Sequence, residues 1–600
     1  MTELWDTTVR LLSQEPLARH VSTARLLELA RVLDRVGFTC LEVSGGGCFD
    51  ALVSGGVESP WERIRALDAR CETPLGMALR GRFLVGSRPL SGDLVRRFVA
   101  SAAASGIDVF RIHDPLNDIA NLTEAASAVH ENGKVLVVGL VHNSGPGGEP
   151  DELVDRARAV RDLGATRIIV NDPAGSLDAA HASQLVERVR EAAGLPVGLY
   201  CQGAAGRALA AAIEAARGGA TPLGCTIYPV AITLYRPSAE ALAQSLSGIG
   251  IESGVDVDAL WEACELVDAE LGDVPVPPLS PRDAVRAAEH RLPAGLVATL
   301  DDRLRAYGLS DRLDEVLDEL ARVRVECGWP PLVAPIMNIV GSQALLHVLA
   351  SQRWQTVVDE IRHLLEGAYG RPPRPIDPVV KRAVDLLDVL PPEDEIDLGR
   401  LREDYRGLAT SEEELLLVAL FGEEAEALLR TIRARARGDE TLEAAGVDES
   451  RAGRIRELID LVMESGIGEV TIEEGEMRVT VRRTEDRADV ATPPLEPRAE
   501  VQERGAEPAP DNGVVQVASP MVGTFYRAPQ PGADPFVEVG DTVATGQTLC
   551  ILEAMKLMNE VQAELNGVIR TIHVDKGQPV EFGQLLFEVE PLAGRPLDAA

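Results

Sequence analysis

Short apolar runs, each followed by a longer amphipathic stretch, recur along the first half of the chain at intervals of roughly 25 to 40 residues. Strands are predicted over 40–43, 76–79, 108–112, 135–141, 167–170, 197–200 and 225–227, with amphipathic helices over 23–36, 92–104 and 179–193 among them. A first strand near 6–9 brings the count to eight. Eight strand-helix units predict a (β/α)8 barrel, whose functional residues lie at the C-terminal strand ends. From about 250 to 440 the pattern is helical with little strand signal.

The pattern changes again near residue 450. Ile455, Leu458, Ile459 and Val462 mark a short amphipathic helix, and the alternation over 470–473 and 477–481 predicts a hairpin. The tract 484–512 repeats Pro, Ala and Glu with hardly any large apolar residue, so it cannot bury enough surface to order itself. A flexible chain of that length spans on the order of 30 Å, and its prolines stiffen it. Beyond it, Gly540-Asp541-Thr542-Val543 with Gly546-Gln547-Thr548-Leu549 is matched by Gly577-Gln578-Pro579-Val580 with Gly583-Gln584-Leu585-Leu586. Two equivalent halves of four strands follow, the first carrying extra residues at 528–535. Where the halves meet, Glu553-Ala554-Met555-Lys556-Leu557-Met558-Asn559 places one lysine at a hairpin tip. An exposed amine on a rigid turn suits covalent loading, although an ordinary hairpin lysine would look the same in isolation.

Six hundred residues are too many for one core and predict three to five units. With 59 basic against 95 acidic residues the formal net charge is −36, which argues against nucleic acid or an anionic membrane as partner. Eight cysteines without a Cys-x-x-Cys pair support neither a zinc site nor a disulfide framework. The first residues lack a signal peptide's basic and apolar regions, and no apolar run of membrane-spanning length occurs, so a cytoplasmic location is expected.

The strand ends carry a family resemblance. Leu41-Glu42-Val43-Ser44-Gly45-Gly46, Leu79-Arg80-Gly81, Asp108-Val109-Phe110-Arg111 with Asp114-Pro115-Leu116-Asn117-Asp118, and Asp172-Pro173-Ala174-Gly175 together resemble the carboxyltransferase domain of pyruvate carboxylase, transcarboxylase and the oxaloacetate decarboxylase α subunit. His290-Arg291-Leu292-Pro293-Ala294-Gly295, the stretch from Pro330 to Ala344 and Tyr369-Gly370-Arg371-Pro372-Pro373 resemble the conserved helical domain that follows it, with 412–421 as its last helix. In that family the helical domain helps to dock the carrier and to dimerise, so a homo-oligomer is expected.

The resemblance implies a divalent metal held by an Asp, a carbamylated Lys and a His-x-His pair, polarising a 2-oxo acid. Here the four aligned positions are Leu11, Asn171, Tyr200 and Gln202, none suited to zinc or manganese. The expectation is a barrel inactive in metal-dependent carboxyl transfer, a pseudoenzyme. The opposing reading is a repurposed mouth in which Arg80, Arg82, Asp114, Asp172 and Gln202 hold an anion, with His113 as a base. Cys201 and Cys225, without a paired histidine, read as small buried hydrophobes.

At the other end, Ser519-Pro520-Met521-Val522-Gly523-Thr524-Phe525-Tyr526, the insertion at 528–535 and the 553–559 turn resemble the biotinyl domain of the biotin carboxyl carrier protein of bacterial acetyl-CoA carboxylase. The insertion is similar to that family's thumb, and 454–483 resembles its N-terminal segment, which docks on biotin carboxylase. The resemblance implies biotin joined covalently to Lys556 by a biotin protein ligase, with Met555, Met558, Ala554 and Glu553 as the surrounding recognition surface. The expected partners are that ligase, a biotin carboxylase subunit and separate carboxyltransferase subunits.

The expected order is a degenerate carboxyltransferase barrel (1–300), a helical conserved carboxylase domain (301–440), a carrier helix-hairpin segment (447–483), a flexible linker (484–512) and a biotinyl, lipoyl-like flattened β-barrel (513–592). The leading functional expectation is the carrier subunit of acetyl-CoA carboxylase, serving malonyl-CoA and fatty acid synthesis. The alternative is an active carboxyltransferase or decarboxylase of 2-oxo acids, like the B-type subunit of pyruvate carboxylase.

Overall fold

In the computed structural model, eight strands close into a parallel barrel in chain order: β1 (Leu4–Asp6), β2 (Cys40–Gly45), β3 (Leu75–Leu79), β4 (Val109–His113), β5 (Val135–Val141), β6 (Arg167–Asp172), β7 (Val197–Cys201) and β8 (Leu223–Cys225). The structure describes residues 1–437 apart from 15–16, 19, 57, 87, 144, 146–149, 205, 273–279, 351–352 and 386–395; then 469–482 apart from 475–476; then 515–591 apart from 520–522, 529–535, 538, 544–546, 555–556, 564–566, 575–577 and 581–583. The chain divides into two compact units, Met1–Arg483 and Thr484–Ala600.

Alternation along the strands builds the barrel interior in layers. Trp5, Cys40, Val109, Val137 and Ile169 form a buried apolar cluster with Tyr200. A strand returns to the same face every second residue, so the face that carries Val109 next carries Arg111 and then His113, while β7 aligns Gly198 and Tyr200 with Gln202 just beyond. The interior is thus apolar below and charged above.

Helices cover the outside with their apolar stripes. The helix Gly92–Ala104 begins at Ser91, whose hydroxyl caps the Leu94 amide at 3.4 Å, and buries Leu94, Val95, Phe98, Val99 and Ala102. Phe98 packs with Trp61 and Phe49, ring centroids 5.0 and 5.4 Å away. The helix Ala179–Ala193 ends on Gly194 at φ 65°, a left-handed position that glycine adopts without side-chain cost.

Two strands differ from expectation. The first is Leu4–Asp6 rather than 6–9, and the chain turns at once into the helix Thr8–Leu12. The Asp6 carboxylate accepts hydrogen bonds from the Thr8 amide at 2.9 Å and the Thr8 hydroxyl at 2.5 Å, which satisfies the new helix's first donors and ends the extended run. The last is Leu223–Cys225 rather than 225–227, because Ile227 already caps the helix Tyr228–Leu234, with Pro229 in its first turn.

A second apolar core, built from Leu296, Leu300, Leu317, Val340 and their neighbours, belongs to the helical layer. The helix Ala294–Ala306 lies inside it, so a barrel boundary at 300 would cut that helix. The layer covers the C-terminal mouth: Phe83, after β3, stacks on Tyr369 at 5.3 Å, and Asn143, after β5, donates to the Trp329 carbonyl at 3.2 Å. The helix Glu412–Phe421 returns to the barrel core through Leu416 and Leu417.

Strands β9 (Glu469–Glu474) and β10 (Met477–Arg482) pair as the expected antiparallel hairpin. The expected helix around 455–462 and the linker 484–512 lie outside the described residues. In the second unit, β11 (Val515–Ala518), β12 (Gly523–Tyr526), β13 (Thr542–Val543), β14 (Thr548–Ala554), β15 (Leu557–Gln562), β16 (Gly567–Ile572), β17 (Pro579–Val580) and β18 (Leu585–Pro591) form two four-stranded sheets, ordered β11-β18-β16-β13 and β15-β14-β12-β17. Each sheet takes two strands from each half of the repeat. Between them Phe525 and Phe587 meet at 5.8 Å, with Leu549, Leu552 and Leu586 around them.

Candidate functional site

The charged layer of the barrel is organised around Glu42. Its carboxylate takes bonds from Arg111, at 2.7 Å from Nε and 3.0 Å from Nη2, and from Nε of Arg10 at 2.5 Å. Burial alone would raise the Glu42 pKa, but Arg111 and Arg10 outweigh it and hold the group at about 2. Arg10 reaches this layer because Asp6 has already turned the chain into a helix, a placement that a strand over 6–9 would not produce.

Arg10 also donates from Nη2 to the Tyr200 hydroxyl at 2.8 Å. Three guanidinium groups surround the Tyr200 ring, with Arg111 and Arg236 each 5.0 Å and Arg10 5.7 Å from its centroid. Burial works to raise the tyrosine pKa, yet the Arg10 and Arg236 charges prevail and lower it. Gly224 makes room for the ring, since a Cβ there would lie 2.5 Å from Tyr200 Cδ2. Arg236 follows Tyr235, which ends its helix in the left-handed conformation at φ 52°. Its Nε is buried and finds no hydrogen-bond partner among the described residues.

Around this cluster stand other buried polar groups. Thr8 links Asp6 to Thr226, hydroxyl to hydroxyl at 2.8 Å, and burial pushes Asp6 up to about 7. His113 is held neutral, its pKa driven down to about 3 by burial and then by Arg111 and Arg80. Beside the mouth, Pro173, Gly175, Gln202, Leu234, Tyr235 and Leu292 help to line a small cleft of about 20 Å³.

The residues expected to bind an anion divide into two groups. Asp172 is engaged by its own loop, accepting from Ser176 at 3.0 Å and Leu177 at 2.8 Å, and Asp114 does the same for Leu116 and Asp118 at 2.9 and 2.8 Å. Arg80 donates to the Val85 carbonyl, and Arg82 lies on the short turn Gly81–Phe83. Gln202 lines the cleft. Cys201 and Cys225 are buried and their thiols pushed up by burial, as a small hydrophobe's would be. The sequence pattern does not single out Glu42 or Arg236; period-two alternation along β2 aims Glu42 inward, but nothing local flags Arg236.

A divalent metal does not fit this mouth. Leu11 is fully buried in the apolar core, and Asn171 sits in register with Tyr200, whose hydroxyl already holds Arg10. No group of three His, Cys, Asp or Glu side chains among the described residues is arranged to hold a metal. Three guanidinium groups surround Tyr200, one of the four aligned positions.

In the second unit, β14 and β15 pair antiparallel with Glu553 opposite Met558 and Ala554 opposite Leu557, so only Met555 and Lys556 separate the two strands. Those two residues lie outside the described ones. The backbone register on either side of them, Thr548–Ala554 against Leu557–Gln562, matches the expected hairpin. The 528–535 insertion is closed at its base by the Phe536 amide donating to the Arg527 carbonyl at 2.7 Å, and its remaining residues, 529–535, are not described.

Comparison with known proteins places both units. Residues 515–589 match the family described as biotin-requiring enzyme, and residues 288–481 match the conserved carboxylase domain. The second match takes in the β9–β10 hairpin, which also groups with the first compact unit. The chain is 31% identical to the pyruvate carboxylase B subunit of Methanocaldococcus jannaschii over 93% of this chain and 94% of that one. It is 29% identical to the 2-oxoglutarate carboxylase large subunit of Hydrogenobacter thermophilus over 93% of this chain and 90% of that one. The carboxyl transferase domain of Rhizobium etli pyruvate carboxylase superposes with a TM-score of 0.64 at 25% identity, covering 73% of this chain and 78% of that one.

These relatives correct the leading functional expectation: they point to the 2-oxo acid carboxylase type and not to the carrier of acetyl-CoA carboxylase or to fatty acid synthesis. The prosthetic group is covalently attached biotin. No helix among the described residues is long and apolar enough to cross a membrane. With a carboxyltransferase-type barrel, a conserved carboxylase domain and a biotinyl domain in one chain, this protein belongs to the biotin-dependent carboxylase family that includes the pyruvate carboxylase B subunit.

Proposed function

We propose that this chain is the biotin-bearing subunit of a multi-subunit biotin-dependent carboxylase, loaded on Lys556, and that its barrel does not perform metal-assisted chemistry on 2-oxo acids. The observation that carries the second half is the set of side chains at the four aligned positions, Leu11, Asn171, Tyr200 and Gln202, none of which suits zinc or manganese.

For the first half, the support is the biotin-requiring match over 515–589 and the β14–β15 register that leaves Met555 and Lys556 between the paired strands. Biotin supplies a ring nitrogen that carries the carboxyl group. The protein's part is to hold that ring at the end of a hairpin and to carry it on a tether, which raises its effective concentration at the stations it visits. Two relatives are named as one subunit of a carboxylase, which supports a separate biotin carboxylase as partner. Glu553, Ala554, Met555 and Met558 would present the lysine to a biotin protein ligase.

The test is an assay of the biotinylated full chain with its biotin carboxylase, ATP and labelled bicarbonate, followed by oxaloacetate decarboxylation with and without Zn²⁺ or Mn²⁺. Label on the chain, absent stoichiometric metal and no metal-stimulated decarboxylation are expected. Turnover that chelator abolishes and metal restores would refute the reading of the barrel. Failure to accept label at all would refute the carrier reading.

A further inference from the structure

The helical layer contains a buried polar network that is complete in only one protonation state. Glu319, Gln343 and His347 are all buried. Nδ1 of His347, on the helix Ile336–Leu349, lies 2.8 Å from Oε1 of Glu319, on the helix Leu313–Glu326. That oxygen also accepts from Arg353 Nε at 2.6 Å, so it is a carboxylate acceptor and Nδ1 carries the ring proton. Nε2 is then a lone pair. It accepts from the Trp354 amide at 3.1 Å and from the Gln343 side-chain amide at 2.9 Å. The orientation of Gln343 is fixed in turn, because its nitrogen also donates to the Thr356 carbonyl at 2.9 Å and its oxygen accepts from the Val358 amide at 2.9 Å. Residues 354–358, which lead into the helix Asp359–Glu366, are thus fastened through the Nε2 side of one imidazole.

We propose that His347 is an acid-operated latch: the neutral imidazole holds residues 354–358 in place, and the imidazolium releases them. A proton on Nε2 faces the Trp354 N–H and the Gln343 amide nitrogen, donor against donor. Turning Gln343 to offer its oxygen sets its nitrogen against the Val358 amide and its oxygen against the Thr356 carbonyl. Either response loosens the same segment, since buried donors and acceptors left unmatched are costly. Trp354 is poised to move, its backbone at φ 60°, a left-handed conformation that is rare for a bulky residue. Its amide bond to His347, its Nε1 bond to Glu326 at 3.0 Å and its ring edge 4.7 Å from the imidazole hold it there. Arg353, bonded to Glu319 and by both terminal nitrogens to Glu326, stays behind as the hinge.

The surrounding charges set the direction of the response. Glu319 and Glu326 face the ring from the helix Leu313–Glu326 and Arg353 from the connecting segment, with Arg322 bridging Glu319 at 3.5 Å. The helix Ala294–Ala306 brings Arg303, which bonds the Ser342 hydroxyl at 3.0 Å, and the helix Asp359–Glu366 buries Ile361, Leu364 and Leu365. Burial lowers the His347 pKa below its ordinary 6.5, against the opposing pull of Glu319. A histidine whose folded pKa lies below its unfolded one supports the folded contacts fully above 6.5 and loses that support as pH falls below it. The release reaches the barrel, because Val357 shares an apolar core with Ile361, Leu364 and Tyr369, and Tyr369 stacks on Phe83 over the mouth. This inference goes beyond the carrier function and does not rest on it.

The experiment follows the tryptophan fluorescence of the full chain from about pH 8 to about pH 5, with far-ultraviolet circular dichroism in parallel and Trp354→Phe as the subtraction. A reversible change that depends on Trp354 is expected, centred below 6.5 and complete while the circular dichroism is still constant. His347→Gln keeps an acceptor for the Trp354 amide but cannot ionise, and should abolish the change. Glu319→Gln removes the charge that favours the imidazolium, and should move the midpoint down by on the order of one pH unit. Amide exchange over 354–369 at about pH 5.5 should be several-fold faster in the parent than in His347→Gln, and equal in the two at about pH 7.5. Should His347→Gln not fold, the Trp354→Phe subtraction and the direction of the Glu319→Gln shift decide the matter. The latch is refuted by the absence of a Trp354-dependent change, by one that survives in His347→Gln, or by one that coincides with loss of circular dichroism. A midpoint that Glu319→Gln leaves in place or raises, or exchange equal in parent and variant at both pH values, refutes it as well.

Discussion

The barrel and the biotinyl domain use the same period-two alternation to opposite ends. In the barrel it aims Glu42, Arg111 and Tyr200 inward, where each charge must find a partner or bear the cost of burial. In the biotinyl domain it turns Phe525, Leu552 and Phe587 inward, and the proposed attachment residue, Lys556, falls in sequence between two paired strands. Chemistry on a turn asks little of the fold behind it. Chemistry in a barrel interior depends on every neighbour at once.

The comparison breaks most sharply at Lys556. The chain contains four lysines, Lys134, Lys381, Lys556 and Lys576, and Lys134 is already bonded to Asp108 at 2.8 Å. Lys556→Arg is expected to abolish biotin incorporation entirely while leaving the barrel's thermal unfolding unchanged. Streptavidin capture of the variant after co-expression with a biotin ligase is the measurement; any residual capture moves the attachment elsewhere.

In the barrel the corresponding change is Glu42→Gln. It leaves Arg10 and Arg111 buried with a neutral partner, and breaking a buried ion pair by removing one member costs about 3–5 kcal/mol. Urea unfolding of the barrel should show a loss of that size, with biotin loading at Lys556 unaffected. A loss below about 1 kcal/mol, the range of exposed pairs, would mean that the cluster is solvated and does not occupy the barrel interior as a unit.

The same contrast explains what is legible in the chain. The strand Val135–Val141 and the helices Gly92–Ala104 and Ala179–Ala193 fall where periodicity alone puts them, because their burial follows from their own pattern. The β14–β15 pairing is legible for a similar reason: strand pattern and repeat are both local. Periodicity sets the first strand two residues late because the signal that ends it is a side chain, Asp6, bonding ahead to Thr8. Alternation aims Tyr200 and Gln202 into the mouth, but their meaning depends on Arg10 arriving from one helix and Arg236 from the end of another. Long-range convergence of this kind has no sequence period. The four aligned positions mark where to look, and only the geometry shows what surrounds them.

The smallest expected effect concerns Asp6, which separates a buried polar group held by hydrogen bonds from one held by charge. Glu42 is kept ionised by two arginines, whereas Asp6 has only hydroxyl and amide donors around it and its pKa is raised from 3.8 to about 7 by burial. A carboxyl that holds its proton more tightly folded than unfolded favours the folded state most at low pH. As pH rises from about 4 the unfolded chain ionises at this position while the folded chain does not, so stability falls by about 1.4 kcal/mol per unit until the folded carboxyl also ionises, near 7, and is flat above. Asp6→Asn cannot ionise and removes that slope. The difference in unfolding free energy between the variant and the parent should therefore move in the variant's favour between pH 5 and pH 7 and then stop changing. A difference that stays constant across that range would show that Asp6 is ionised in the folded barrel, and would place a compensating cation beside the Thr8–Thr226 pair.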